Sequence, residues 1–125
     1  MFLLDSDFLI AFLRGDIEAE KSMQSFLHSG EALSVSSLTC AELYNGAFRS
    51  KKQGVAEEIS SFLSRFEIID FCFFEAKKAG ELMALLLSKG EWTGSFDALN
   101  AAIALLHNKT LVSRNLKHYS RFKGL

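Results

Sequence analysis

The sequence predicts an α/β fold, a three-layer α/β/α sandwich around a mainly parallel sheet of four to five strands. Three observations predict it. The chain opens on an uninterrupted apolar run, Met1 to Leu4, with no polar alternation. That is the pattern of a strand covered on both faces. Short apolar runs then alternate with longer segments whose apolar residues recur at helical spacing, as strands and helices do around a parallel sheet. With 49% hydrophobic residues and 12 Phe, the chain can also fill a sizeable core. Its 125 residues suit one domain, 1–125, without a visible internal boundary or repeat.

The elements follow in order. After the opening strand comes Asp5-Ser6-Asp7, then an apolar helix running to Leu13, with Asp7 expected as its N-terminal cap. Gly15-Asp16 punctuates. Residues 17–28 have Ile17, Met23, Phe26 and Leu27 toward one side of a helix, which Ser29-Gly30 stops. Ala32 to Ser36 is the second strand. Leu38 to Arg49 and Val55 to Phe66 both carry helical periodicity, and the short Ser50–Gly54 link makes them an antiparallel pair. Ile68 to Phe71 is the third strand. Phe74 to Lys89 is a helix ended by Gly90, and Gly94 to Asp97 opens another, ALNAAIALLH, apolar nearly all round and therefore buried. Leu111 to Ser113 is the fourth strand. Arg114 to Leu125 is a loop or short helix, anchored by Phe122 and Leu125.

Composition narrows the function classes. The formal net charge is -1, but its distribution is uneven. Residues 1–97 hold 9 basic against 15 acidic residues, -6; residues 98–125 hold five basic and no acidic ones, +5. Such asymmetry is either a basic face for phosphates or an ordinary solvated surface. Cys40 and Cys72 have no metal-type spacing and sit in apolar sequence, so both are expected reduced and buried. No signal-peptide pattern or membrane-length apolar run is visible, and a cytoplasmic protein is the default expectation. His28, His107 and His118 form no ligand spacing; Asp70 and Glu75 are expected to be solvated, and Trp92 and Tyr44 to be packing residues. No glycine-rich phosphate loop is present.

The acids carry the chemistry. Asp5 ends strand one, Glu42 lies in the first turn of the helix after strand two, Asp97 opens the helix before strand four, and Asn115 follows strand four. Elements that follow parallel strands meet on one rim, where open α/β sheets bind ligands. Asp97 joins them only if its helix starts at that rim. Carboxylates gathered there repel one another unless a cation lies between them. An all-oxygen donor set without His or Cys selects Mg²⁺ or Mn²⁺ over Zn²⁺. Such ions serve phosphodiester hydrolysis without a protein nucleophile. Each acid also has a purely structural reading. Thr39-x-x-Glu42 matches a capping box, Asp97 suits a helix dipole, and Asp5 to Asp7 suits a turn. Asp5, among apolar neighbours and not itself placed to cap, is explained worst by these.

Four segments in order resemble the PIN-domain nucleases, and among them the VapC-type toxins of bacterial toxin–antitoxin pairs. They are Leu3 to Ile10, Ser37 to Leu43, Gly94 to Ala104, and Leu111 to Asn115 continuing through Tyr119 to Leu125. The resemblance covers nearly the whole chain. It implies a metal-dependent endoribonuclease acting on structured RNA. In it Asp5, Glu42 and Asp97 hold Mg²⁺ or Mn²⁺, Asn115 completes the catalytic set, and Ser6 and Ser113 support the metal-binding acids. It also implies a cognate VapB-like antitoxin that blocks the site, and a homodimer. Three positions depart from the family pattern: Asn115 stands where many relatives have Asp, Asp7 where Asn is common, and Asn100 where an apolar residue is common. Asn100, one turn after Asp97, would face the site or bond to a neighbouring helix. Two other readings compete. Asp5-x-Asp7 after an apolar strand resembles the nucleophile motif of haloacid-dehalogenase-type phosphatases, although Leu9 stands where that motif wants Thr or Val. A catalytically weak binding module for RNA or antitoxin is the non-enzyme alternative.

Overall fold

The computed structural model describes residues 1–91, 95–114 and 122. The expectations for Trp92, Gly94, Asn115, His118 and Leu125 lie outside them. Among the described residues four strands, β1 (Phe2–Leu4), β2 (Leu33–Ser36), β3 (Glu67–Ile69) and β4 (Thr110–Val112), form one sheet in the order β3-β2-β1-β4. Every pairing is parallel, with Leu3 opposite Ser34 on one side and Leu111 on the other. Among the described residues six helices accompany the strands: α1 (Ser6–Leu13), α2 (Ile17–His28), α3 (Ser37–Arg49), α4 (Val55–Leu63), α5 (Phe73–Lys89) and α6 (Ser95–Leu106).

The strand order dictates the layers. From β1 the chain steps to β2 and β3 in one direction, then returns past β1 to β4. Right-handed crossovers put the helices of outward steps on one face and those of the return on the other. The core divides accordingly. Leu4, Leu33 and Val35 pack with Phe8, Leu9, Met23, Leu43, Ile59 and Leu63 from α1–α4. Leu3 and Ile69 pack with Ile103 and Ala104 of α6, beside a cluster of α5 and α6 residues that includes Phe122. Strand alternation explains the split, since Leu3 and Leu4 must point to opposite faces. The expected three-layer sandwich is therefore the one observed.

Local chemistry sets the ends. Gly90 takes φ +68° after α5 and Gly54 takes φ +82° before α4, a left-handed backbone that disfavours residues with a Cβ. In α6, Ala98, Ala101, Ala102, Ile103 and Ala104 are all at most 1% exposed, as an all-round apolar helix requires. Three expectations are corrected. Cys72 is exposed and Cys40 only half-buried, because Cys72 precedes the start of α5 at the surface; burial raises the Cys40 thiol above its usual range. Glu75 is buried rather than solvated. It accepts from the Cys72 backbone N–H at 2.9 Å and meets His107 Nε2 at 3.1 Å, satisfying the start of α5 and tying it to the end of α6. No described helix is long and apolar enough to cross a membrane.

Candidate active site

The direction of crossover reverses between β1 and β4. In an open parallel sheet the crevice beyond the strand ends at such a switch point is the place for a ligand. Asp5 follows β1 there, and Ser113 follows β4.

Asp5 is the single residue between β1 and α1, 7% exposed. Its backbone N–H donates to Val112 at 2.9 Å, which holds the end of β1 against β4. Its side chain caps α1: Oδ1 accepts from the Ser6 N–H at 2.8 Å. The expectation that Asp7 caps this helix is thus corrected. Strand passes to helix with no intervening turn, so the first acid of the triplet takes the cap and its charge is favoured at the helix N-terminus. Two more donors reach Asp5, Ser113 Oγ to Oδ2 at 3.1 Å and Asn100 Nδ2 to Oδ1 at 3.4 Å.

Asp7, released from capping, joins α1 to the exit of β4. The Arg114 N–H donates to its Oδ2 at 3.1 Å, and Ser113 Oγ lies 3.2 Å from the same oxygen. A hydroxyl has one proton to give. Ser113 therefore serves Asp5 and Asp7 in competition, and the two carboxylates are drawn to one point. Beside them an open cleft of 710 Å³ is lined by Asp7, Ile10, Arg14, Asp16 and Arg114, among others. Arg114 Nη1 reaches Asp16 Oδ2 at 3.3 Å, an exposed pair of small energetic weight. Asp16 itself is held below the usual carboxylate range, first by the Ala19 N–H that it caps and then by Arg114.

Glu42 lies in the second turn of α3, not the first, and the alternative capping-box reading of Thr39-x-x-Glu42 does not hold. The cap of α3 is Ser36, whose Oγ accepts from the Thr39 N–H at 3.1 Å. That leaves Glu42 free to face the rim, where Oε2 accepts from Ser6 Oγ at 3.0 Å. Burial raises the Glu42 carboxyl above its usual range. The Ser6 bond opposes the rise, and the charges of Asp5, Asp7 and Asp97 add to it. Asp97 in the first turn of α6 is half-buried and close enough to act on Glu42, so its helix does begin at this rim.

Asn100 was open between site and neighbouring helix, and the structure decides it. Its side chain is buried and bridges the Ser36 hydroxyl, at 3.1 Å from Oδ1, to Asp5. The one signal in the sequence was its position one turn after Asp97. Asn115 lies outside the described residues. Asp5, Glu42, Asp97, Ser6 and Ser113 therefore occupy one rim, together with Asp7 and Asn100. An apolar cavity of 240 Å³ lined by Phe12, Met23, Phe62 and Phe66 contains none of these site residues.

Among the described residues no three His, Cys, Asp or Glu side chains stand close enough to hold a metal ion as they are. The donor chemistry nonetheless fits a hard divalent cation. The residues offered are carboxylate oxygens, and Glu42 is destabilised as an anion first by burial and then by three neighbours of like charge.

Fold and site together define an α/β protein with an acidic centre at the switch point of a parallel sheet. The chain belongs to the PIN-domain family, whose model matches residues 2–124. It is 32% identical to Ribonuclease VapC2 of Rickettsia felis over 126 residues, covering 100% of this chain and 94% of that protein. It is 28% identical to the tRNA(fMet)-specific endonuclease VapC of Salmonella typhimurium, over 99% of this chain and 93% of the relative. Among solved structures it superposes on VapBC2 from Rickettsia felis bound to a DNA fragment from its promoter. There the TM-score is 0.87 at 32% identity, covering 99% of this chain and 94% of the other.

Proposed function

We propose that residues 1–125 form one PIN-type nuclease domain, a VapC-like endoribonuclease toxin that hydrolyses phosphodiester bonds of structured RNA and is dependent on Mg²⁺ or Mn²⁺. The observation that carries this reading is the gathering of carboxylates at one rim: Asp5 and Asp7 share the Ser113 hydroxyl, and Ser6, next to Asp5, holds Glu42. Burial first, and then the nearby charges of Asp5, Asp7 and Asp97, disfavour the half-buried Glu42 anion, and a cation among these acids would offset both. Asp5, Glu42 and Asp97 would hold the ion, with Asn115 completing the catalytic set. When bound, it supplies water activation and stabilisation of the leaving oxygen. The chain's own part is to hold the carboxylates. The α1 N-terminus fixes Asp5, Ser6 orients Glu42, and Ser113 keeps Asp5 and Asp7 together. Such chemistry would need no protein nucleophile. The names of the relatives, ribonuclease and tRNA endonuclease, support RNA as the substrate.

The partner is a VapB-like antitoxin, as in the VapBC complex that the fold matches. A groove of 490 Å³ lined by Ile10, Leu13, Arg14, Leu43 and Ala47 reaches Glu42. An apolar antitoxin segment fits that groove, and a basic side chain on it would meet the acidic rim. A homodimer is the expected assembly. The exposed Phe73–Phe74 pair on α5, ring centroids 5.8 Å apart, supports a further apolar contact surface. The cytoplasm is the proposed site of action, where structured RNA is available.

The test is purified protein incubated with a panel of structured RNAs in Mg²⁺, Mn²⁺ or EDTA. Cleavage is expected with either cation and not with EDTA. Cleavage unaffected by EDTA would refute the cation-dependent reading.

A further inference from the structure

The geometry points to Asn100 as a positioning residue of the acidic site, holding Asp5 in the orientation in which it meets a divalent cation. The inference rests on the metal-dependent reading above. Asn100 is a polar side chain of α6 that is at once buried, 3% exposed, and hydrogen-bonded to a rim carboxylate. It lies where an apolar residue would satisfy the packing of the helix, since its neighbours Ala98, Ala101 and Ala102 are all at 0%. An amide in that place needs partners at both ends. It has them. Ser36 Oγ donates to its Oδ1 at 3.1 Å, and its Nδ2 donates to Asp5 Oδ1 at 3.4 Å.

The orientation of the amide follows from charge. Turned the other way, it would aim an oxygen at the Asp5 carboxylate. Ser36 adds a second constraint. Its oxygen already accepts from the Thr39 N–H at 3.1 Å, so its proton is available for an acceptor. Thr39 Oγ1 at 3.3 Å is the other group within reach, and Thr39 can itself donate across that contact. Ser36 is 0% and Thr39 1% exposed, so little water competes for these bonds.

The result is a buried relay from the end of β2, through α6, to the end of β1. Ser6 N–H and Asn100 Nδ2 both hold Oδ1 of Asp5, and Ser113 Oγ donates to its Oδ2. A carboxylate whose orientation is fixed by two donors on one oxygen is held as a metal ligand needs to be. Outer partners of metal-binding side chains commonly contribute 10- to 100-fold in affinity or activity, about the range expected here.

The experiment is calorimetric titration of the full chain with Mn²⁺, with thermal unfolding and RNA cleavage in parallel. The variants are Asn100→Leu, Asn100→Ala and Ser36→Ala. For both Asn100 variants the expected result is a Mn²⁺ Kd weakened by about tenfold or more. Their cleavage recovers toward wild type as Mn²⁺ is raised, with KM for RNA little changed. Ser36→Ala, acting through Asn100, weakens Mn²⁺ less. Combined with Asn100→Leu it adds nothing further, the mark of a shared pathway. Two Asn100 variants keep the test available if one folds poorly. An unchanged Kd in a folded Asn100 variant, with only Tm moved, would overturn the proposal and leave the nuclease reading intact. Wild-type protein that binds no Mn²⁺ would overturn both.

Discussion

The Ser6 hydroxyl donates to Glu42 Oε2 over 3.0 Å, linking the first turn of α1 to the second turn of α3 across 36 residues. It favours the charged form of a carboxyl that burial and three neighbouring acids otherwise push toward protonation. Removing it in Ser6→Ala raises the Glu42 pKa further. The acid limb of the cleavage profile then moves to higher pH, while folding is largely kept. A pH–rate series on the two proteins measures this; an unmoved acid limb would show that the bond does not tune Glu42.

Glu42 also bears on stability. Its pKa is raised in the folded protein, so in the window between unfolded and folded values the native state binds more protons than the unfolded chain. The group's relative contribution is then fully present below the unfolded pKa, about 4.3, and is lost as pH rises through the folded value. Glu42→Gln removes this slope. The variant is expected to melt higher than wild type at pH 7, the gain shrinking toward pH 4, while losing cleavage. Parallel Tm–pH curves for the two proteins would rule out the shift.

Ser34 in β2 is fully buried, and its hydroxyl has no hydrogen-bond partner among the described residues. An unmade hydrogen bond on a buried hydroxyl costs about 1 kcal/mol or more. Ser34→Ala should therefore be neutral or stabilising by up to ~1 kcal/mol. Urea unfolding gives the answer, and a clear loss of stability would mean that the hydroxyl is satisfied.

The small residues of α6 set how close it lies to the sheet and to α5. Ala102 is at 0% exposure, so Ala102→Leu overpacks the interface and should cost ~1–3 kcal/mol. Ile103→Ala, also at 0%, opens a cavity and should cost ~2–5 kcal/mol. Both come from denaturant midpoints. A tolerated Ala102→Leu would mean that α6 is packed more loosely than its burial implies.

Much of the fold was legible because it rests on local pattern. The unbroken apolar β1, the periodic α2 to α5 and the all-round apolar α6 follow from burial on one or both sides. The rim positions of Asp5 and Glu42 follow from elements that succeed parallel strands, whereas that of Asp97 depended on where its helix starts, which the sequence left open. The roles inside the acidic triplet were not legible. They depend on β1 giving way to α1 within one residue, which hands the cap to Asp5 and frees Asp7 for Ser113 and Arg114. The capping-box alternative for Glu42 fails for a similar reason: α3 starts immediately after β2, and Ser36 takes the cap. Glu75 has one local partner in the Cys72 N–H, but its other partner, His107, and both partners of Asn100 lie 32 to 95 positions away, which no local spacing encodes.

The most direct test of the acidic centre is RNA cleavage in Mn²⁺ by wild type, Asp5→Asn and Asp97→Asn side by side. Asn caps a helix about as well as Asp, so Asp5→Asn should fold and isolate the loss of charge. Wild type is expected to cut, with both variants slower by about 100-fold or more, a loss of roughly 2.7 kcal/mol in barrier lowering. Equal cleavage by all three proteins would contradict the account.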